Sequence, residues 1–200
     1  PVPLFYVTGL IAVFGLFLTV GGTMHIHRFF DANRVLNAIR DEKLTFLHAS
    51  PTVFSMLLAQ RQNFPSLPSL RSFACGSSNM PPETLLKIHD WLPGIRFHTV
   101  YGLTETSSPA TVFPGDAAAS RYIGSSGKPV PGVNMKIVSE TGEELPAGEI
   151  GQILVSGTVV IENYYNQENK MIEAGWQDTG DIDTLNTDGY LYVVDRKKDM

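Results

Sequence analysis

Apolar runs and amphipathic segments alternate along the first half of the chain. The apolar runs are short enough for buried strands and lie at 23–29, 44–48, 70–75 and 96–101. Between them, apolar residues recur every three or four positions, which predicts helices at 32–40, at 51–60 and from Pro81 onward. Asp31 stands where the first of these helices needs an N-cap. This order predicts an α/β fold, with a parallel-sheet layer and flanking helices.

The second half of the chain has a different pattern. Short β-rich runs at 133–138 and 150–156 are separated by glycines and prolines, and one helix is predicted near 167–174. The pattern indicates a smaller, barrel-like β-rich subdomain. We therefore predict four parts, namely an α/β subdomain at 1–115, a connecting segment at 116–132, the β-rich subdomain at 133–194 and a final segment at 195–200.

The most apolar stretch, residues 4–20, approaches the length of a membrane span. It contains Tyr6, Thr8 and two glycines, lacks flanking basic residues, and falls short of the ~20 apolar residues that a span requires. We predict a buried helix here and no stable membrane span. A membrane-associated role is the alternative.

Composition narrows the classes of function. The chain has 200 residues, of which 43% are hydrophobic and 18% charged, as in folded globular proteins. Its net charge of −5 and the lack of a basic run argue against a nucleic-acid partner. A single cysteine, Cys75, fits a reducing compartment and predicts a cytoplasmic protein with a buried thiol. His25 and His27 have no Cys or acid nearby, so we predict no zinc site.

Candidate chemistry begins where the run 96–101 ends. The residues Tyr101-Gly102-Leu103-Thr104-Glu105 change abruptly from an apolar strand to small and polar groups. Ligands of parallel sheets bind beyond the carboxyl ends of the strands. There Tyr101 can stack on a ring, and Gly102 lets a backbone approach closely. Thr104 can donate to a phosphate oxygen, and Glu105 can hold a magnesium ion. The alternative is a turn in which Thr104 caps a helix and Glu105 favours its N-terminus.

Two other segments change from apolar to small polar residues in the same way. Gly76, Ser77 and Ser78 follow the run 70–75 and leave room for a planar base, although an ordinary strand-to-helix loop has the same composition. Far downstream, Asp181 can accept hydrogen bonds from vicinal hydroxyls, and Arg196 can meet a ribose or a phosphate. A turn acid and a solvated charge run are the alternatives for these two.

Taken in order, these segments resemble the adenylate-forming superfamily of acyl-CoA synthetases, peptide-synthetase adenylation domains and firefly luciferase. The stretches that carry the resemblance are PLFYVTGL, GGTMHIHRFFDANRVLNAIRDEKLTFLHASPTVFSMLL, LPSLRSFACGSSNMPPE, VYGLTET, GKPVPGVNMKIV, GEIGQILVSG, GWQDTGD and DGYLYVVDRKKDM. One such stretch would be weak, but together they span nearly the whole chain.

The resemblance implies roles for the residues at the strand ends. Residues 76–78 fall where the family contacts adenine, and Tyr101 falls where an aromatic ring stacks on it. Thr104 and Glu105 fall on the catalytic positions that meet the phosphates and magnesium.

The resemblance also implies roles for residues outside these loops. Asp181 and Arg196 fall on the ribose-binding acid and arginine, and Lys198 on the hinge to a C-terminal domain. Tyr6 and Leu103 fall where the acyl pocket is lined, although many members carry His at the position of Tyr6.

The implied activity is an ATP-dependent acid:thiol ligase. A carboxylic acid is activated as an acyl-adenylate with the help of Mg²⁺ and is then transferred to coenzyme A. The apolar and small residues of the implied pocket favour a fatty or other hydrophobic acid. An adenylation domain of a peptide synthetase and a non-catalytic nucleotide-binding module are the alternatives.

Two features depart from the family pattern. Asn79 replaces a proline of the adenine loop, which changes the stiffness of the loop without removing the site, and the chain lacks the Gly/Ser/Thr-rich loop ending in lysine that holds the outer phosphates. The chain begins at Pro1 and stops at Met200, just past the implied hinge. We therefore expect a middle fragment without the C-terminal domain, inactive by itself.

Overall fold

The computed structural model describes residues 1–167 and 172–196, and over these the strands form two sheets. Its helices are a π-helical turn at Thr8–Gly15 that continues into α1 (Leu16–Thr19), α2 (Ala32–Asp41), α3 (Pro51–Leu58), α4 (Pro82–Trp91) and a 3₁₀ turn at Thr104–Thr106. Its strands are β1 (Phe46–Ala49), β2 (Ser72–Cys75), β3 (Arg96–Tyr101), β4 (Thr111–Val112), β5 (Lys128–Pro129), β6 (Val133–Val138), β7 (Gly151–Gly157), β8 (Ile172–Glu173), β9 (Trp176–Leu185) and β10 (Leu191–Arg196).

The first sheet has the order β1-β2-β3-β4-β5. Its first three strands are parallel, with Phe73 paired to Leu47 on one side and to Phe97 on the other, whereas β4 and β5 continue it antiparallel. Helices connect the parallel strands, as this pairing requires. The predicted α/β class, with a β-rich unit after it, is confirmed.

The helices that flank this sheet form for the reasons that their sequences give. The Asp31 side chain accepts a hydrogen bond of 2.7 Å from the backbone N–H of Arg34 and so caps α2, as predicted. On the core side of the sheet, the ring centroid of Phe54 lies 5.0 Å from that of Phe73 and 5.1 Å from that of Phe97. This packing fixes β2 and β3 relative to each other, and with them the loops that follow.

The second sheet is antiparallel, with the order β10-β9-β7-β6 and β8 beside β9. Its central strand β9 buries a polar face, which consists of Gln177, Thr179, Asp181 and Asp183. Polar side chains are buried only at a cost unless they find partners. The Thr179 hydroxyl does so by donating to the carbonyl oxygen of Ile153 over 2.9 Å.

A short segment joins the two sheets. The Thr99 hydroxyl of β3 donates to the carbonyl oxygen of Ser125 over 2.6 Å, and the Ser125 hydroxyl donates to that of Leu191 over 2.7 Å. The backbone N–H of Leu191, at the start of β10, donates in turn to the carbonyl oxygen of Gly127 over 2.9 Å. Residues 125–127 therefore hold β3 and the start of β10 together.

One predicted element is wrong, and a second is wrong over the part that the structure describes. Residues 23–29 form no strand, and Ile26 and Phe29 are exposed, because an apolar run becomes a strand only where a neighbouring strand pairs with it. The helix predicted near 167–174 lies partly outside the described residues. Its described end, 172–174, is instead β8 and a turn that leads back into β9.

The first helix forms as predicted, but its predicted burial is wrong. Gly9 is its only buried residue, while Leu10, Ile11 and Leu18 are among those exposed. The sequence is apolar on all sides, so packing on one side leaves the others uncovered. Within the described residues, no helix has the length and hydropathy needed to cross a membrane.

Asp183 makes the stability of the chain depend on pH. Its side chain is fully buried, its Oδ1 accepts from the backbone N–H of Thr184 over 2.5 Å, and its Oδ2 has no partner among the described residues. Burial raises the pKa of Asp183 to about 7, from an ordinary value of about 4. The folded state then binds more protons than the unfolded state between these two values, so stability falls as pH rises from about 4 to 7.

We expect Asp183→Asn to remove this dependence. Between pH 5 and pH 8, the wild-type chain should lose about 1–3 kcal/mol of unfolding free energy, because the buried and partly unsatisfied Asp183 carboxyl group becomes ionised. Asp183→Asn should lose much less. Urea denaturation at the two pH values measures both. Asp90→Asn, which changes an exposed acid of α4, is the control and should behave as wild type. Equal losses in wild type and Asp183→Asn would contradict the assignment.

Candidate functional site

The carboxyl ends of β2 and β3 lie side by side. Cys75 pairs with Thr99, so Gly76 comes to lie against Val100. A Cβ atom on Gly76 would lie 2.6 Å from Cγ2 of Val100, closer than two carbon atoms can approach. Gly76 therefore lets its loop pass directly beside the end of β3. Ser77, at φ +74°, and Ser78 then emerge into solvent.

Tyr101, the last residue of β3, connects this edge to the second sheet. Its hydroxyl donates to Oδ2 of Asp181 over 2.7 Å. Asp181 is buried, and its backbone N–H donates to the Thr179 hydroxyl over 3.2 Å. The register of β9 and β10 places the backbone of Arg196 opposite Asp181. Residues 80 positions apart in the sequence thus meet where the two sheets adjoin.

The turn after Tyr101 exposes one predicted residue and buries another. The Thr106 hydroxyl accepts from the backbone N–H of Leu103 over 2.9 Å and lies 3.1 Å from the Leu103 carbonyl oxygen, to which it donates. Thr106 is buried, whereas Thr104 is exposed and makes no capping bond to this turn. The alternative in which Thr104 acts as a helix cap is therefore wrong, because Thr106 closes the turn.

Glu105 is held by residues that follow β7. Its backbone carbonyl accepts from the N–H of Ile161 over 2.9 Å, and its side-chain Oε1 accepts from the Tyr164 hydroxyl. This hydrogen bond raises the pKa of the Tyr164 phenol, because ionisation would place two negative charges together. No role was predicted for Tyr164 from the sequence. The pair of adjacent tyrosines in an Asn-rich loop was the signal that could have singled it out.

The donor set around Glu105 suits a magnesium ion that arrives with phosphates. In the described part of the chain, no three His, Cys, Asp or Glu side chains cluster as a metal site. Mg²⁺ commonly takes one or two carboxylates and completes its shell with water and substrate phosphates. The Glu105 carboxylate, with the exposed Thr104 hydroxyl next to it, fits that partial coordination.

The remaining predicted residues lie elsewhere or outside the described residues. Tyr6 is 60% exposed and packs against Phe5, with 4.7 Å between ring centroids. Leu103 is half-buried at the turn, and Lys198 lies outside the described residues. The site roles inferred for all these residues stay predictions.

Two buried side chains near Gly76, those of Cys75 and His48, are uncharged at physiological pH. Burial raises the pKa of the Cys75 thiol to about 12, which keeps it protonated and unreactive. Burial also lowers the pKa of His48 to about 4, so its imidazole is neutral at physiological pH. Nε2 of His48 has no hydrogen-bond partner among the described residues and lies 3.7 Å from where a Cβ on Gly76 would be. The sequence pattern gave no reason to single out His48.

Comparisons with known proteins match nearly the whole chain. The AMP-binding enzyme family matches residues 1–165. The chain is 35% identical to a feruloyl-CoA synthase of an Amycolatopsis species and 34% identical to an indoleacetate–CoA ligase of Aromatoleum aromaticum, in each case over 99% of its length. Among solved structures, o-succinylbenzoate coenzyme A synthetase from Bacillus subtilis, in complex with ATP and magnesium ion, superimposes with a TM-score of 0.87 at 30% identity over 100% of the chain.

The chain corresponds to part of each of these proteins. It spans 40% of the feruloyl-CoA synthase, 39% of the indoleacetate–CoA ligase and 41% of the o-succinylbenzoate synthetase.

The contact between Gly76 and Val100 predicts a specific double-variant result. Gly76→Ala should lower the unfolding free energy by about 1–3 kcal/mol, because the new methyl group overpacks against Val100. Most of that loss should disappear in a Val100→Ala background, which removes Cγ2. Chemical denaturation of the two single variants and the double variant measures the coupling. The same loss in both backgrounds would show that the two residues do not press on each other.

Proposed function

This chain belongs to the family of AMP-binding enzymes, and we propose that it supplies the adenosine-binding edge of an ATP-dependent acid:thiol ligase. In the proposed reaction, a carboxylate oxygen of the acid attacks the α-phosphorus of ATP, and the bond to pyrophosphate breaks. A thiol, that of coenzyme A, then attacks the acyl carbon of the adenylate and AMP leaves. The relatives at 35% and 34% identity, a feruloyl-CoA synthase and an indoleacetate–CoA ligase, are named for joining an acid to coenzyme A, which supports the proposal.

The hydrogen bond between Tyr101 and Asp181 is the observation that carries this proposal. It brings an aromatic face from the end of one sheet next to a buried carboxylate of another. An aromatic face suits a purine ring, and a carboxylate accepts hydrogen bonds from the two hydroxyls of a ribose. Adenosine presents both groups within one molecule.

The other strand-end residues complete the proposed adenosine contacts. The loop at Gly76 passes close to β3, so its backbone groups and those of Ser77 and Ser78 can meet the edge of the base. Gly102 lies against the next turn, since a Cβ there would come within 3.1 Å of Ser108. Any larger residue there would press on that turn. Arg196, opposite Asp181 in the strand register, is proposed to meet the ribose or a phosphate.

Glu105 and Thr104 are proposed to act on the phosphates. The attack joins two anions, so their repulsion must be offset as the bond forms. Mg²⁺, when bound, would supply positive charge at the phosphate oxygens. The Glu105 carboxylate would hold it there, and the exposed Thr104 hydroxyl would donate to a phosphate oxygen.

A hydrophobic acid is the proposed substrate, and an acid with an aromatic ring is favoured over a fatty acid. Feruloyl-CoA synthase and indoleacetate–CoA ligase, two of the relatives, are both named for aromatic acids. Tyr6 and Leu103 are the residues proposed to line the acyl pocket, and both side chains are consistent with a flat apolar group.

Nucleotide binding by the chain itself tests the adenosine contacts. Calorimetric titration with AMP should show that Asp181→Asn binds at least about tenfold more weakly than wild type, because it loses hydrogen bonds to a charged acceptor. Asp183→Asn, a buried acid on the same face of β9, is the matched control and should bind within about twofold of wild type. Equal losses in both variants, or no AMP binding by the folded wild-type chain, would contradict the proposed contacts.

Pyrophosphate release tests the reaction and the acid. The protein in its complete natural length should release pyrophosphate from ATP with ferulate or indoleacetate at least tenfold faster than with octanoate, and should then need coenzyme A for release of AMP. Faster reaction with octanoate would favour a fatty acid. Dependence on an amino acid and a carrier-protein thiol would favour a peptide-synthetase adenylation domain, and no reaction with any acid would favour a non-catalytic nucleotide-binding module.

A further inference from the structure

Tyr164 contacts the carboxylate proposed to hold magnesium, although it lies 59 residues further along the chain. Its hydroxyl donates to Oε1 of Glu105. Tyr164 is 41% exposed, whereas its neighbour Tyr165 is 92% exposed. One of two adjacent tyrosines is therefore drawn against Glu105, while the other projects into solvent.

The segment that carries Tyr164 is fixed to the Glu105 turn at two further points. The Ile161 N–H donates to the Glu105 backbone carbonyl over 2.9 Å, and the Ser107 hydroxyl donates to the Val159 carbonyl over 3.0 Å. The N–H of Gln167 also donates to the Tyr164 carbonyl over 3.1 Å and closes a tight turn. The backbone is thus constrained on both sides of Tyr164. The tyrosine hydroxyl is presented to Glu105 by an anchored backbone.

We propose that Tyr164 is a positioning residue, which orients the Glu105 carboxylate so that Oε2 faces the magnesium ion of the bound nucleotide. The hydrogen bond engages one oxygen and leaves the other for the metal. This inference rests on the proposed function. It assigns the residues after β7 a part in metal binding that is separate from the adenosine contacts of Tyr101 and Asp181.

The physical reason is the freedom of the glutamate side chain. A half-exposed Glu samples several rotamers, and ordering it on metal binding costs free energy. A donor that already holds one oxygen removes part of that cost. Hydrogen bonds from outer residues to metal-ligating carboxylates commonly change metal affinity by about 10–100-fold. Because Tyr164 is partly exposed, we expect the lower end of this range.

Tyr164→Phe and Tyr165→Phe form a matched pair for the test. Each removes one hydroxyl and keeps the ring, and the two positions are adjacent. Binding of Mn²⁺ to the complex of the full-length protein with a non-hydrolysable ATP analogue is measured from the electron paramagnetic resonance signal of free Mn²⁺. Tyr164→Phe should weaken Mn²⁺ binding by about tenfold, and Tyr165→Phe should leave it unchanged. Unchanged or tighter Mn²⁺ binding in Tyr164→Phe would overturn the proposal.

Two measurements separate this inference from the function on which it rests. Binding of the ATP analogue without metal should be the same in Tyr164→Phe and wild type, because the hydroxyl acts through the carboxylate. Glu105→Gln should weaken Mn²⁺ binding more than Tyr164→Phe does. If Glu105→Gln leaves Mn²⁺ binding unchanged, the proposed role of Glu105 is wrong. If Glu105→Gln weakens Mn²⁺ binding and Tyr164→Phe does not, only the positioning role of Tyr164 is wrong. Loss of metal-free analogue binding in Tyr164→Phe would show a merely structural role and would also overturn the inference.

Discussion

The hydrogen bonds of residues 125–127 are the constraint on which the candidate site depends. Each sheet has its own pairing pattern, and the core of the second sheet also takes in Ala110 and Tyr101 from the first. Ser125 is buried and bonds to Thr99 of the first sheet and Leu191 of the second. Gly127 is needed there for its conformation, at φ +91°, and because a Cβ would lie 2.2 Å from the backbone of Val112. This connection holds β3 and the start of β10 to the same segment of chain.

The two buried carboxylates on β9 differ in their surroundings. Asp181 and Asp183 are two residues apart on the same buried face, yet only Asp181 has a partner from the first sheet. The hydroxyl of Tyr101 compensates one carboxylate for its burial, while burial raises the pKa of the other to about 7. A strand with this face costs stability and gains a carboxylate fixed at the junction of the sheets.

The proposed phosphate side of the site is built on a separate set of contacts. Glu105 and Thr104 lie on a 3₁₀ turn that Thr106 closes from inside, and residues 159–164 hold that turn from outside. The adenosine side depends on the edge of the first sheet and on β9. A substitution can therefore disturb one half of the proposed site and leave the other intact. Loss of Asp181 should then affect the adenosine side, and loss of Glu105 the phosphate side.

Elements with local signals could be predicted from the amino-acid sequence. The capped helix α2, the parallel strands that end at Cys75 and Tyr101, and the change of pattern after 132 follow from spacing, caps and turn residues, and the motifs point to the family. Which of these parts meet depends instead on contacts that form in the folded chain. The 23–29 run lacks a strand partner, and Tyr164 contacts Glu105, because pairing and side-chain contact depend on residues distant in sequence. Likewise, Thr106 rather than Thr104 closes the turn after Leu103. The bond from Tyr101 to Asp181 is of the same kind, since no local pattern specifies a partner 80 positions away.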